Sequence, residues 1–430
     1  MRFKFLWAFA LWVTLDFQSI LLSAESSYPN YPTGEITLEA SLEWALEHNP
    51  SLKTFRHTLQ MQEGIIEQAG VFPNPELDVE FENSPGTGNY RGAERLETSI
   101  LIRQMIERGN KRGFRVVVAE AEKTLLQKEY ETSCYEVLTE VARAFIDLIS
   151  AQERRAVREE FHEISTQVLE IIRHGVELGR YSPVAETRAR VQVSASRNDL
   201  DRSALDLEQA RLSLAKTWGG STALFNKALG NLFPLPALPD PAGSSGGFTS
   251  NPDLASASAA ILLSQAELGL ERAKALTDIV VGAGVRHFAE SADLAFVFGV
   301  SIPLPMFNRN QGAIRSARDR LAAVESEYQA RMINVQNDFN RHFQTLQQTF
   351  REVERLEQEI LPDAESAFRA SQDGFQAGKF SYLEVLDAQG FLYEARLQRI
   401  EAAQRYHKAL NELNRLIAGS PLMNQKSGRE

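Results

Sequence analysis

A unit of about 200 residues occurs twice in this chain, and that duplication limits the available folds more than any other feature. His48-Asn49-Pro50-Ser51-Leu52 returns as Ser250-Asn251-Pro252-Asp253-Leu254, an offset of 202. At the same offset Pro75-Glu76-Leu77-Asp78-Val79 lies over Thr277-Asp278-Ile279-Val280-Val281, and Ser99-Ile100 over Ser301-Ile302. Further on the offset is 199, and Gly175-Val176-Glu177-Leu178-Gly179-Arg180-Tyr181-Ser182 lies over Gly374-Phe375-Gln376-Ala377-Gly378-Lys379-Phe380-Ser381. The unit is too long for a solenoid repeat. It denotes two copies of a whole structural half.

The expected divisions are a signal peptide at 1–24, a first repeat at 25–217, a Pro/Gly-rich linker at 218–247, a second repeat at 248–418 and a flexible tail at 419–430. Arg2 and Lys4 precede an apolar run from Phe5 to Leu15, and Leu22-Ser23-Ala24 offers a cleavage site. Beyond that segment no run of 18 apolar residues occurs, so no membrane-spanning α-helix is expected in the mature chain. Cys134 is the single cysteine, which excludes an intramolecular disulfide and a Cys-rich metal site. A net charge of −11 argues against nucleic acid, whose phosphates need clustered Lys and Arg. It suits a surface or pore that attracts cations.

Each half repeats one order of elements. Asn49 and Asn251 suit helix N-caps, each followed by a proline suited to the first turn, and the helices are expected to reach about Val71 and Leu276. Two segments with a period of two follow in each half: 77–82 and 96–103, then 279–287 and 294–302. Their turns are 84–89 and 289–293. Such segments fit membrane-spanning β-strands or half-buried strands of a soluble sheet, and the period alone does not separate the two.

Long helices come next. Cys134, Leu138, Val141, Phe145 and Leu148, then Val157, Phe161, Ile164, Val168 and Ile171, repeat at 4-3-4-3. This is a coiled-coil seam. Phe339 to Val353 repeats it in the second half, where Pro362 is expected to kink or restart the helix. Four strands cannot close a barrel, so transmembrane strands would oblige the chain to assemble with copies of itself.

In order and spacing, four segments resemble the TolC-like outer-membrane factor family, in particular its cobalt-zinc-cadmium heavy-metal efflux branch. They are Thr37 to Pro50, Ile106 to Gly113, Ile302 to Gly312 and Ala377 to Gln389. The resemblance covers nearly all of the mature sequence. It implies a mainly α fold with a small transmembrane β part, whose duplicated half-units form, as a trimer, a 12-stranded outer-membrane β-barrel continued by a long periplasmic α-helical barrel. It implies a passive exit duct of a tripartite pump, probing no chemistry of its own, with a periplasmic adaptor protein, an inner-membrane proton-driven pump and outer-membrane lipid as partners. The lipidation cysteine that some relatives carry near the mature N-terminus has no counterpart, because Cys134 lies far from it.

By the same resemblance, two helical turns become the tips that meet the adaptor. One holds Gly175, Gly179, Arg180, Tyr181, Ser182 and Pro183; the other holds Gly374, Gly378, Lys379, Phe380, Ser381 and Tyr382. The plainer alternative is that these glycines only let the hairpins turn. Asp78, Glu80 and Glu82 alternate with Leu77, Val79 and Phe81, so acids face the lumen if the apolar set faces lipid. Three copies would then line the channel with nine carboxylates, or simply with a hydrated wall. The seven histidines are scattered without ligand spacing. No catalytic residue, metal site or cofactor is expected. Heavy-metal cations are the expected cargo, with drugs or a secreted polypeptide as alternatives, and a periplasmic structural coiled-coil protein as the alternative of another class.

Overall fold

The computed structural model describes residues 31–239 and 251–417. The expected signal peptide, the tail and part of the expected linker lie outside the described residues. Chain order is β1 (Gly34–Thr37), α1 (Leu38–His48), α2 (Pro50–Ala69), β2 (Glu76–Glu82), β3 (Glu97–Ile106), α3 (Lys111–Glu177), α4 (Pro183–Lys216) and β4 (Phe225–Leu229). The second half supplies α5 (Pro252–Lys274), β5 (Ile279–Phe288), β6 (Asp293–Ser301), α6 (Gln311–Arg355), α7 (Leu361–Gln376) and α8 (Tyr382–Leu416).

An asparagine begins each repeat and also ties off its end. Asn49 Oδ1 accepts from the amides of Ser51 (2.9 Å) and Leu52 (3.3 Å), while its Nδ2 donates to the Thr217 carbonyl at 2.7 Å, just past α4. Asn251 does the same, accepting from Leu254 N at 3.0 Å and donating to the Leu416 carbonyl at 2.8 Å. Both asparagines are buried, so no water can replace these bonds, and an orphaned buried carbonyl costs about 1–3 kcal/mol. The helices they start end at Ala69 and Lys274, two residues short of the expectation, and α1 is an extra helix before the first of them.

The stretch expected as a linker carries β4, which pairs in parallel with β1. Trp218, Phe225, Ala228 and Leu232 join Leu42, Val141, Phe145 and Leu148 in the largest buried cluster. Prolines around it concealed a five-residue strand whose pattern is too short to register.

Helix α3 runs 67 residues, a rod of about 100 Å at 1.5 Å per residue. Val141, Phe145, Leu148, Phe161 and Val168 are buried along it, as the seam requires. At the far end the seam has moved: Ile171 is 48% exposed and Ile172 is buried. A straight helix drifts by about 20° per heptad, which amounts to one residue over five heptads. Pro362 does interrupt the second half's helix, one turn ahead of itself. A π-helical turn, Leu356–Ile360, separates α6 from α7. The proline ring excludes the carbonyl four residues back, and the wider turn absorbs the misfit.

The four strands form one antiparallel sheet in the order β2-β3-β5-β6. The registers pair Val79 with Ile100 and Val281 with Val300. With Val79 over Val281, Ile100 therefore lies over Val300, not over Ile302, and the offset is 200 from here on. The same offset relates Asn110 to Asn310, the left-handed residues before α3 and α6 (φ 55° and 58°). Two residues are thus lost within the second hairpin, and the third between Asn310 and the tip.

Candidate functional site

Residues paired across an antiparallel sheet share a face. One face collects Leu77, Val79, Ile100, Ile102, Phe296 and Phe298, all exposed, the two phenylalanines at about 80%. A free protein surface seldom carries so large an apolar field, and here it is continuous over four strands. The opposite face carries Asp78, Glu80 and Glu82 together with Glu97, Ser99, Arg103 and Arg286. Gly282, Gly284 and Gly299 lie on it from β5 and β6, and Leu101, Met105, Val280 and Val297 share it as apolar members.

The three expected acids do share one face, but they do not stand as bare carboxylates. Arg103 pairs with Asp78 at 2.6 Å and with Glu80 at 3.1 Å. Arg286 pairs with Glu82 at 2.9 Å and Glu97 at 3.0 Å, and donates to Ser99 Oγ at 2.9 Å. The sequence pattern alone does not reveal these arginines, because each lies on a different strand from the acids it meets. The parity of β3 would have placed Arg103 on the acidic side once the register was known. These exposed pairs stabilise little. Their consequence is electrostatic, since they cancel part of the negative field.

The two tips are one design used twice. Leu178 N and Ala377 N close the last helical turns on His174 and Asp373 carbonyls. Gly179 (φ +68°) and Gly378 (φ +70°) then reverse the chain in the left-handed region that other residues avoid. Arg180 N and Lys379 N each donate at 2.8 Å to the carbonyls of Gly175 and Gly374. The rings of Tyr181 and Phe380 fold over those two glycines so closely that a methyl on either would strike the ring. One glycine therefore turns the chain and the other receives the aromatic.

Ser182 caps α4 by accepting from Val184 N at 3.2 Å, with Pro183 in the first turn. Ser381 caps α8 in a reciprocal box with Glu384, whose carboxylate accepts from Ser381 N at 2.5 Å. The tips also touch each other. Phe375 stacks on Tyr181 at 5.0 Å between centroids and meets Tyr382 at 6.1 Å. Burial pushes the Tyr382 phenol up to about 12. Outward of this cluster Arg180, Lys379 and Phe380 are exposed, as are Leu178, Val184 and Leu383, which the glycine-centred motif did not single out.

The histidines stay apart. Among the described residues no group of three or more His, Cys, Asp and Glu could hold a metal ion. No helix among them is long and apolar enough to cross a membrane.

A family model described as Outer membrane efflux protein matches residues 42–220 and 248–419. The chain is 33% identical over 393 residues to the Cobalt-zinc-cadmium resistance protein CzcC of Cupriavidus metallidurans, covering 91% of this chain and 92% of that one. It is 27% identical over 277 residues to the Nickel-cobalt-cadmium resistance protein NccC of Alcaligenes xylosoxydans xylosoxydans, covering 64% and 61%. Among solved structures, the fold is similar to that of CusC, with a TM-score of 0.76 at 19% identity over 92% of this chain and 96% of that one.

Proposed function

The chain belongs to the outer membrane efflux protein family, and from that premise we propose that three copies form a passive exit duct for heavy-metal cations. The observation that carries this reading is the four-stranded sheet, apolar on one face, polar on the other, and open at both edges, β2 and β6. In lipid each unpaired backbone group costs several kcal/mol, so β6 of one copy pairs with β2 of the next until the sheet closes. Three copies supply twelve strands, and each hairpin feeds long helices that continue the channel through the periplasm.

The polar face then lines the lumen, with Asp78, Glu80 and Glu82 beside Arg103 and Arg286. This wall lets hydrated ions pass and does not hold them, since water in a wide duct screens its paired charges. Gly175 to Pro183 and Gly374 to Tyr382 meet a periplasmic adaptor protein, with Arg180, Lys379 and Phe380 offering charge and apolar area outward. A proton-driven inner-membrane pump supplies the energy. Metal cargo follows from likeness to two proteins whose names record resistance to cobalt and cadmium.

Deleting the gene and titrating growth against zinc, cobalt, cadmium, copper and silver salts tests the cargo. Tolerance to at least one should fall, and unchanged tolerance to all five would overturn the metal assignment. Heat-modifiable migration and recovery in outer membranes are expected of the duct. Recovery as soluble periplasmic rods would overturn it.

A further inference from the structure

One contact within the chain supplies a template for a contact between chains. The Asp278 carboxylate, just before β5, accepts from Arg108 N at 3.0 Å and from Lys111 Nζ at 2.8 Å on both oxygens. Beside it a methyl on Gly109 would come within 2.8 Å of Leu276 and 3.1 Å of the Ala273 carbonyl, and Phe114 lies against Gly269. The turn leading from β3 into α3 is thus seated on the lead-in to β5. This is how the first half docks on the second.

The offsets carry that contact onward. An offset of 202 takes Asp278 back to Glu76, and one of 200 takes Arg108 and Lys111 forward to Asn308 and Gln311. We propose that Glu76 of one copy docks on the Asn308–Gln311 turn of the next copy, repeating between chains what Asp278 does within one. This rests on the reading of the chain as a closed oligomeric duct.

Exposure separates the satisfied side from the unsatisfied one. Eight residues of α5 are buried but only two of α2, because α3 of the other half covers α5, whereas among the described residues no helix of the second half packs on α2 in that way. Ala273 is 6% exposed, and Val71 at the equivalent place is 46% exposed. Met61, Ile65 and Phe72 are exposed nearby. The other surface is bare to match: Leu304, Met306 and Phe307, in the lead to α6, are 76%, 66% and 89% exposed. These bare surfaces adjoin the two unpaired sheet edges, β2 and β6, so one neighbour on each side would cover edge and flank together.

The charges fit as well. Glu76 is exposed, and among the described residues it forms no ion pair. Gln311 cannot supply the cation that Lys111 does. Arg309, exposed where the first half has Gly109, can reach a carboxylate docked on this turn.

Cross-linking tests the proposal in the full chain with Cys134→Ser. Glu76→Cys with Gln311→Cys, treated in outer membranes with a short bis-maleimide, should give covalent dimers and trimers on denaturing gels. Each single cysteine should give none. Asp278→Cys with Lys111→Cys calibrates the reagent and should give only a mobility shift within one chain. A positive calibration and intact trimers on unheated gels, with no ladder from the first pair, would overturn this contact and leave the duct standing. Absence of trimers on unheated gels would overturn both. As a second measurement, Glu76→Lys and Arg309→Glu should each lower the temperature at which trimers dissociate. Their combination should recover most of the loss, and a merely additive loss would count against the pairing.

Discussion

The backbones of the two tips match bond for bond, whereas the two hairpins share little beyond strand direction. At the tips a glycine at φ near +70°, a second glycine under an aromatic ring and a serine at the next helix start recur, although the two serines cap differently. In the hairpins, the polar face carries carboxylates and Arg103 on β2 and β3, whereas on β5 and β6 it carries Arg286 among glycines and apolar residues. The difference follows from what each place demands. A helix reversal with a left-handed residue has few side-chain solutions. A strand between lipid and water needs only the right polarity on each face, which many residues meet.

If recurrence marks physical demand, matched positions should cost the same in both halves. Asn49→Ala and Asn251→Ala test this where the effect is largest. Each removes a helix cap and strands the carbonyl of Thr217 or Leu416, together about 2–4 kcal/mol. Thermal unfolding in detergent should show two losses equal to within about 1 kcal/mol, inside the context-dependence of such caps. A loss confined to one variant would break the equivalence of the halves.

The tips should then show where sameness stops. Gly175→Ala and Gly374→Ala each press a methyl into a ring, an overpacking cost of about 1–3 kcal/mol. Tyr181 is held by its stack on Phe375, while Phe380 is 44% exposed and free to swing aside. Gly175→Ala should therefore cost more, and Tyr181→Ala should relieve it. Limited proteolysis across residues 175–183 and 374–382 would register both. Equal sensitivity would mean that Phe380 is held as firmly as Tyr181. A smaller contrast is expected from the caps: Ser182→Ala and Ser381→Ala should each cost about 1 kcal/mol. Ser381→Ala should be the less costly in denaturant titrations, since alanine keeps the backbone N–H from which the Glu384 carboxylate accepts, a second cap that Ser182 lacks.

These contrasts follow the line between what could be seen in the sequence and what could not. Local chemistry was visible: the Asn-Pro helix starts, the turning glycines and the alternating strands lie where the chain's own pattern placed them. Relations across long separations were not. No pattern at Asn49 announces Thr217, 168 residues away, and none at Phe225 announces a parallel partner at Gly34. Asp78 and Glu80 were visible as acids, but their neutralisation by Arg103 depends on a register that only pairing fixes. The misplaced alignment of Ser99 over Ser301 has the same origin, because in a two-residue period a shift of two preserves every face.

The smallest expected effect distinguishes how the two returning helices hold the segment between the halves. Helix α4 grips it with Arg211, which donates to the Phe225 carbonyl at 3.0 Å and pairs with Glu208 at 2.7 Å. Helix α8 uses Tyr406, whose hydroxyl donates to the Pro236 carbonyl at 2.6 Å, and His407, whose Nε2 lies 2.8 Å from the Leu232 carbonyl. A carbonyl only accepts, so that nitrogen carries a hydrogen. Burial pushes the His407 pKa below the ordinary histidine value, against the opposing pull of the Leu232 carbonyl. Above the ordinary value of about 6.5 the ring is neutral in folded and unfolded chains alike, and nothing is lost. As pH falls below it the unfolded chain takes up a proton that the folded chain resists, so stability declines toward the folded pKa. Arg211 keeps its charge throughout this range. Hydrogen exchange compared at about pH 7.5 and about pH 5.5, corrected for intrinsic rates, should therefore show protection lost first around residues 231–236 and later in β4. His407→Gln keeps a donor without a titrating ring and should remove that difference. If β4 and residues 231–236 loosened together in both proteins, acid would be acting through the shared core beneath them, and the two grips would be equivalent after all.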